Sequence, residues 1–118
     1  PDAIRRKIKR AVTDSIGEVK YSDEQLGIKN LMNIYSVFSG DSFEEIENRY
    51  EGAGYGKFKE DLAEVVIGGL TPIQEKYEDL MKNKDFLEKV YREGAEKANY
   101  IANKTLRKVY KKVGFIQK

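Results

Sequence analysis

The sequence predicts an all-α protein: a bundle of about five helices with a long proline-kinked helix and a long last helix. Two observations lead to this prediction. Apolar residues recur at three- and four-residue intervals over most of the 118 positions, as they do in amphipathic helices. The one stretch in which polar and apolar residues alternate, residues 18–21, is too short to form a sheet by itself. Because no linker or internal repeat divides the chain, we expect residues 1–118 to form a single helical domain.

The first part of the chain is expected to contain two helices separated by an ordered loop. The first helix begins directly after Pro1, since proline suits a first helical turn. Its apolar face consists of Ile4, Ile8, Ala11 and Val12. Residues 13–27 break the helical period and are rich in turn-forming side chains. A second helix then covers residues 28–39 and ends at Gly40. The residues expected to face inward from it are Leu31, Ile34, Tyr35 and Phe38.

A third helix carries capping signals at both ends. Ser42 and Glu45 have the spacing of a capping box, in which each side chain accepts a hydrogen bond from the other residue's backbone N–H. Gly52 fits the left-handed C′ position at the other end. The stripe expected to be buried is Phe43, Ile46 and Tyr50.

The fourth helix is predicted to continue across Pro72. A proline ring inside a helix collides with the carbonyl group four residues earlier, which here belongs to Gly68. Because Gly68 and Gly69 can absorb this distortion, we expect a kink and not an end. The apolar stripe that continues across the proline is Phe58, Leu62, Val65, Val66, Leu70, Ile73, Tyr77 and Leu80.

The last helix is predicted to start at a cap provided by Asn83 or Asp85 and to run to about Val113, before Gly114. Its apolar stripe, expected to be buried, is Phe86, Leu87, Val90, Tyr91, Ala95, Ala98, Ile101, Ala102, Leu106, Val109 and Val113. Small residues in its middle would let another helix approach closely; they are Gly94, Ala95, Ala98 and Ala102.

The composition argues against catalysis by this chain alone. Histidine and cysteine are both absent, so zinc binding, thiolate chemistry and a histidine general base are excluded, and we predict no catalytic and no metal-ligating residue. The absence of cysteine fits a cytoplasmic protein. No apolar run approaches the roughly 20 residues of a membrane helix, and no compact helix-turn-helix with a basic recognition helix stands out. We therefore expect neither a membrane nor DNA as a partner.

The charges are unevenly distributed, although the formal net charge is only +2. From Ala98 onward every charged residue is a cation: Lys104, Arg107, Lys108, Lys111, Lys112 and Lys118. A second cluster, at the start, contains Arg5, Arg6, Lys7, Lys9 and Arg10. Such asymmetry indicates a polyanionic partner. The alternative is that these side chains solvate a helix face or offset the negative end of a helix dipole.

Three blocks of the sequence resemble the C-terminal helical part of bacterial tryptophanyl-tRNA synthetases. The blocks are KIKRAVTDS (residues 7–15), GIKNLMNIYSVFSG (27–40), and a third from YEGAGYGKFKEDLAEVV (50–66) through PIQEKY (72–77) to REGAEKA (92–98). They follow the family's order and spacing over nearly the whole chain. Departures occur at Ile16, at Gly68–Gly69 and at residues 83–85, and none falls on a position with a catalytic role.

The resemblance implies that the chain is a fragment of a class I aminoacyl-tRNA synthetase. The family's nucleotide-binding domain, its HIGH-type signature and its KMSKS loop would precede Pro1. The complete enzyme would join tryptophan to its tRNA with ATP and magnesium and work as a homodimer in the cytoplasm. This fragment would hold no cofactor and would contact tRNA, at its anticodon end, and the missing catalytic domain. A helical adaptor that binds a partner protein's helix is the alternative function.

Two groups of residues are candidates for contact with tRNA. The glycine-rich loop at residues 52–56 leads into a helix N-terminus, where free backbone donors attract phosphate; Lys57 and Lys59 add charge, and Tyr55 could stack on an unpaired base. The alternative is a plain interhelical loop with Tyr55 packed inward. The second group is the row Lys104, Arg107, Lys108, Lys111 and Lys112, which either binds phosphates or solvates the last helix. For the cluster from Arg5 to Arg10, proximity to the catalytic loop and proximity to the tRNA both remain open.

Overall fold

The computed structural model describes residues 1–114, and these residues form five α-helices and no strand. The helices are α1 (Asp2–Lys9), α2 (Leu26–Ser39), α3 (Phe43–Arg49), α4 (Tyr55–Lys82) and α5 (Lys84–Val113). The predicted all-α fold of about five helices is therefore confirmed. Lys118, which belongs to the predicted C-terminal cation cluster, lies outside the described residues.

The chain divides into two compact units, which we call unit 1 (Pro1–Gln74) and unit 2 (Glu75–Lys118). Helix α4 begins in unit 1 and ends in unit 2. Unit 1 contains α1, α2 and α3 together with most of α4, and the described part of unit 2 contains the end of α4 and α5.

The core of unit 1 is formed by α2, α3 and the first half of α4, with α1 packed at its side. Its buried apolar residues are Val19, Ile28, Leu31, Met32, Tyr35, Ile46, Tyr50, Phe58, Leu62 and Val66. Phe58 lies at the centre: its ring stacks on Tyr35 at 5.8 Å and meets the edge of Tyr50 at 5.2 Å between centroids. Ile4 and Ile8 of α1 are partly buried against this cluster. The predicted stripes of α1, α3 and the first half of α4 therefore pack together.

Two glycines permit close approaches within unit 1. A Cβ atom on Gly27, in the first turn of α2, would lie 2.4 Å from the carbonyl oxygen of Val12. A Cβ atom on Gly69 of α4 would lie 2.3 Å from the ring of Phe38. Gly69 thus makes room for the end of α2, a role that differs from the predicted one of absorbing strain near Pro72.

The predicted continuity and caps are largely confirmed. Helix α4 continues through Pro72 as one element. The capping box of α3 is present: the Glu45 N–H donates to Ser42 Oγ at 3.2 Å, and the Ser42 N–H donates to Glu45 Oε2 at 2.7 Å. Helix α2 ends at a left-handed Gly40. Gly52 is also left-handed, but α3 ends with Tyr50 as its C-cap, so Gly52 is C″ and the predicted C′ assignment is wrong by one position.

Helix α5 starts after Asn83 and ends before a left-handed Gly114, as predicted, but Asn83 makes no side-chain capping hydrogen bond and the apolar stripe of the helix is not buried. No residue of α5 is buried, and Ile101 is 66% exposed. The reason is that the described part of unit 2 offers no second layer of helices to cover this face. The prediction of a buried α5 stripe is therefore wrong for this structure.

Four residues of the other predicted stripes are also exposed. Val12 is 88% exposed because α1 ends at Lys9, so the helical period no longer governs its direction. Phe38 is partly exposed at the end of α2. Ile73 and Tyr77 are exposed because they follow Val66, the last buried residue of α4.

Candidate nucleic-acid interface

A groove of about 880 Å³ lies in unit 1 between α1 and the first turns of α4. Its charged lining residues are five cations, Arg5, Arg6, Lys9, Lys57 and Lys59, and three carboxylates, Glu60, Asp61 and Glu64. The groove therefore brings part of the N-terminal basic cluster next to the predicted tRNA-binding residues of α4. Polar contacts decide which of these cations are available to a ligand.

Arg5 fixes α1 against α4. Its Nε donates to Glu64 Oε1 at 2.7 Å and its Nη2 donates to Glu64 Oε2 at 3.2 Å, so the guanidinium and the carboxylate form a two-bond fork. The hydrogen bond from Arg5 holds the pKa of Glu64 below its usual value, and the carboxylate raises the pKa of Arg5 in return. The charge of Arg5 is thus largely balanced by Glu64.

Lys59 connects α4 to the segment that follows α1. Its Nζ donates to the carbonyl oxygen of Ala11 at 2.8 Å and to Thr13 Oγ1 at 3.2 Å. These bonds span 48 and 46 residues of sequence. The structure therefore gives this predicted tRNA-binding residue a contact that stabilises the fold of unit 1.

Lys57 belongs to a polar network beneath the groove. Its Nζ donates to Asp61 Oδ1 at 2.7 Å, and the hydroxyl of Tyr50 donates to Asp61 Oδ2 at 2.9 Å. The hydrogen bond from Lys57 is the main reason that the pKa of Asp61 is lowered. Burial raises the pKa of Tyr50, whose hydroxyl also bonds that of Tyr35 at 3.0 Å. Lys57 is thus paired with Asp61, a carboxylate that also accepts a hydrogen bond from the core residue Tyr50.

Tyr55 is partly buried, and its hydroxyl joins two distant parts of the loop between α1 and α2. It donates to Asp14 Oδ1 at 2.5 Å and accepts from Gln25 Nε2 at 2.9 Å. Gln25 is itself buried and also donates to the carbonyl oxygen of Glu18 at 2.8 Å. The bond from Tyr55 lowers the pKa of Asp14, whereas burial is the first cause that raises the pKa of Tyr55.

Sequence reasoning did not find Asp14 and Gln25 as partners of Tyr55. Asp14 was recognisable only as a turn former, and it lies 41 residues from Tyr55. No local pattern indicates a contact over that separation, so the tertiary structure was needed to show it.

Arg6 and Lys9 differ from the other cations of the groove. Both are exposed on α1, and within residues 1–114 neither side chain has a polar or charged partner. Sequence reasoning left the role of their cluster open. The structure places these two side chains in the groove, next to the first turn of α4.

The second predicted group lies on the last turns of α5, in unit 2. Lys104, Arg107, Lys108, Lys111 and Lys112 are all exposed. At about 3.6 residues per turn they share one side of α5, and Leu106, Val109 and Val113 lie on the other side. Tyr55, Lys57 and Lys59 lie in the first two turns of α4, so one predicted group belongs to unit 1 and the other to unit 2.

Within residues 1–114, acidic side chains form no cluster of three or more that could hold a metal ion. The helices of the same stretch include none with the length and apolarity needed to cross a lipid bilayer.

Comparison with models of known protein families gives no match to this chain. Individual proteins do match. The tryptophan–tRNA ligase of Clostridium acetobutylicum is 56% identical over 116 residues, which cover 98% of this chain and 35% of that protein. The tryptophan–tRNA ligases of Bacillus anthracis and Bacillus subtilis are 52% and 47% identical over 119 residues, covering 100% of this chain and 36% of each.

The chain thus spans about a third of the length of the curated relatives it matches. The resemblance inferred from the three sequence blocks is confirmed by these identities, which extend over the entire chain. This chain belongs to the family of bacterial tryptophan–tRNA ligases, as a fragment that corresponds to about a third of such a protein.

Proposed function

We propose that this chain is the tRNA-binding helical part of a tryptophan–tRNA ligase and that it holds the anticodon end of the tRNA. The observation that carries the proposal is the 47–56% identity to tryptophan–tRNA ligases along the chain. The parent enzyme attaches tryptophan to its tRNA with ATP and magnesium, acts as a cytoplasmic homodimer, and has its catalytic residues outside this fragment. The fragment alone is inactive and binds no cofactor.

The charge distribution supports tRNA as the partner. RNA presents a row of phosphates, and cations that neutralise them give an affinity that falls as salt rises. The residues predicted from the sequence to contact the tRNA are Tyr55, Lys57 and Lys59 in unit 1 and Lys104, Arg107, Lys108, Lys111 and Lys112 on α5. The α5 cations share one exposed side of a long helix, which suits contact with an RNA backbone.

The exposed apolar side of α5 supports a second partner, the remainder of the ligase. The matched relatives are about three times as long as this chain, so most of the parent polypeptide lies outside it. Leu106, Val109 and Val113 are each about half exposed here, and burying such side chains is worth roughly 1.5–3 kcal/mol apiece. We propose that this face packs on the catalytic part of the same polypeptide and that residues 1–118 form one domain in that setting.

The test is binding of a tryptophan tRNA transcript to the isolated chain, followed by fluorescence anisotropy between roughly 50 and 200 mM salt. We expect weak binding at low salt that falls steeply as salt rises, no ATP turnover, and no aminoacylation. A DNA duplex of equal charge serves as the control and should bind more weakly. Absent binding at low salt, or binding that salt does not change, would refute the proposal.

A helical adaptor is the second candidate, and one observation favours it. The small residues Gly94, Ala95, Ala98 and Ala102 are exposed, and among the described residues no atom outside the neighbouring backbone of α5 lies within 4 Å of the position a Cβ on Gly94 would take. A partner helix could therefore lie directly against α5 there. Binding of a protein helix that persists while tRNA is ignored would favour this function over tRNA binding.

A further inference from the structure

We propose that Arg6 and Lys9 are the side chains that bind phosphate in the groove between α1 and α4, and that their ligand is an RNA backbone. This proposal rests on the proposed function for the identity of the ligand. It assigns a role to the N-terminal basic cluster and changes the predicted roles of Lys57 and Lys59 from contact to positioning.

The contacts within the groove separate engaged cations from available ones. Arg5 is held by Glu64, Lys57 by Asp61, and Lys59 by the Ala11 carbonyl and Thr13. Each of these side chains has already given part of its charge or of its N–H donors to the protein, so it offers less to a phosphate than a cation without a partner does. Arg6 and Lys9 have no such partner among the described residues, so they give up only water when a phosphate binds.

The geometry of α1 places the two side chains as a pair. Residues three apart lie next to each other on a helix surface, so Arg6 and Lys9 project from the same side of α1. The fork between Arg5 and Glu64 fixes this helix against α4 and so preorganises the pair. Gly56, in the first turn of α4, lines the same groove and carries a backbone N–H that precedes the helical hydrogen-bonding pattern.

One group in the groove opposes a phosphate. Glu60 lines it and, unlike Asp61 and Glu64, makes no hydrogen bond or salt bridge to a cation within the described residues, although its charge also acts on Lys57. Its negative charge repels an anion, so its removal should tighten phosphate binding. Removing the charge of Glu60 should thus strengthen phosphate binding, whereas removing the charges of Arg6 and Lys9 should weaken it. The opposite signs are specific to this groove.

The N-terminal basic cluster supplies a matched control. Lys7 and Arg10 belong to the same basic cluster, but they do not line the groove. The double variant Lys7→Gln/Arg10→Gln therefore removes the same net charge from the same basic cluster as Arg6→Gln/Lys9→Gln. A difference in tRNA affinity between the two double variants is therefore due to the groove and not to the overall charge.

The experiment measures tRNA binding by the full chain and these variants as a function of salt. For Arg6→Gln/Lys9→Gln we expect a loss of about tenfold or more at low salt and a salt slope smaller by about 1 for each cation removed. The control variant should lose about threefold or less, and Glu60→Gln should tighten binding. Equal losses in the two double variants, with equal salt slopes, would overturn the proposal.

A second measurement separates failure of this proposal from failure of the proposed function. Inorganic tripolyphosphate is titrated into the isotope-labelled chain, and backbone amide shifts at Gly56 and Ala63 are followed by NMR. Shifts in the wild type that disappear in Arg6→Gln/Lys9→Gln support the phosphate site. If these shifts occur but tRNA does not bind, RNA is refuted as the ligand. If neither probe perturbs the groove, the site itself is refuted.

Discussion

Units 1 and 2 contain similar helical patterns but bury very different amounts of surface. Every buried residue of the described chain lies between Val19 and Val66, in unit 1. The stretch from residue 75 to residue 114 contains a 30-residue helix and no buried residue. The comparison teaches that a helical period identifies which side of a helix is apolar but does not identify what covers it.

The two units also differ in their polar contacts. Within residues 1–114, the residues whose pKa values are clearly shifted all lie between Arg5 and Glu64, where ion pairs and buried hydroxyls join separate elements. In α5, the pair Arg92–Glu88 at 2.5 Å is local to one helical turn. Unit 1 is therefore specified by long-range contacts, whereas the Arg92–Glu88 pair of α5 joins neighbouring turns of one helix.

The largest expected effect comes from making the same substitution in each unit. Phe58 is fully buried in unit 1, and its replacement by alanine should cost about 3–5 kcal/mol of unfolding free energy. Phe86 on α5 is 48% exposed, and Phe86→Ala should cost less than about 1 kcal/mol. Urea unfolding monitored by tyrosine fluorescence measures both.

If Phe58→Ala does not fold, Phe58→Leu is a less disruptive substitution. It should still lower the unfolding free energy more than Phe86→Ala does. Comparable losses for the two alanine variants would mean that α5 is packed as tightly as the core of unit 1, contrary to the comparison.

A smaller effect, of opposite sign in the two units, is expected from glycine-to-alanine substitutions. In unit 1, Gly27→Ala would place a Cβ 2.4 Å from the backbone oxygen of Val12, which cannot rotate away, and should cost about 1–3 kcal/mol. In α5, Gly94→Ala meets no atom within 4 Å and should stabilise the helix by roughly 0.5–1 kcal/mol. Thermal unfolding of both variants checks the signs, and a stabilising Gly27→Ala would contradict the observed packing.

The smallest expected effect is the response of stability to pH. The carboxyl groups of Asp14, Asp61 and Glu64 have lowered pKa values in the fold, so they stabilise it above their ordinary pKa of about 4. That stabilisation is lost as the pH falls through the lower folded-state values. Tyr50 and Tyr55 have raised pKa values, so their contribution is complete below about pH 10 and is lost at higher pH.

Because the chain contains no histidine, its melting temperature should stay nearly constant between about pH 5.5 and 7.5. Asp61→Asn should weaken the acid dependence. A steep change of melting temperature near neutral pH would show that a group outside this set controls stability.

Local patterns predicted the helices well because their causes are local. The capping box of Ser42 and Glu45 and the left-handed Gly40 and Gly114 each depend on a few adjacent residues. The continuity of α4 through Pro72 was predicted because the apolar residues keep the same three- and four-residue spacing on both sides of the proline.

The candidate site was predicted less completely because its contacts join distant residues. The positions of Lys57 and Lys59 at the start of α4 were predicted, but the bond from Lys59 to the Ala11 carbonyl spans 48 residues. Whether a cation is paired or available depends on such bonds, so sequence reasoning could not distinguish Lys59 from Arg6. The exposure of α5 was missed for a similar reason, since burial depends on which other segments are present.

Hydrogen exchange tests the central difference between the units most directly. Backbone amides are compared in the isolated chain and in a full-length tryptophan–tRNA ligase that carries this segment. A long helix without tertiary packing is only marginally stable, so α5 amides should exchange fast in the isolated chain and slowly in the full-length enzyme. Amides of α2 and of the first half of α4 should be protected in both. Equal protection of α5 in the two samples would contradict the account.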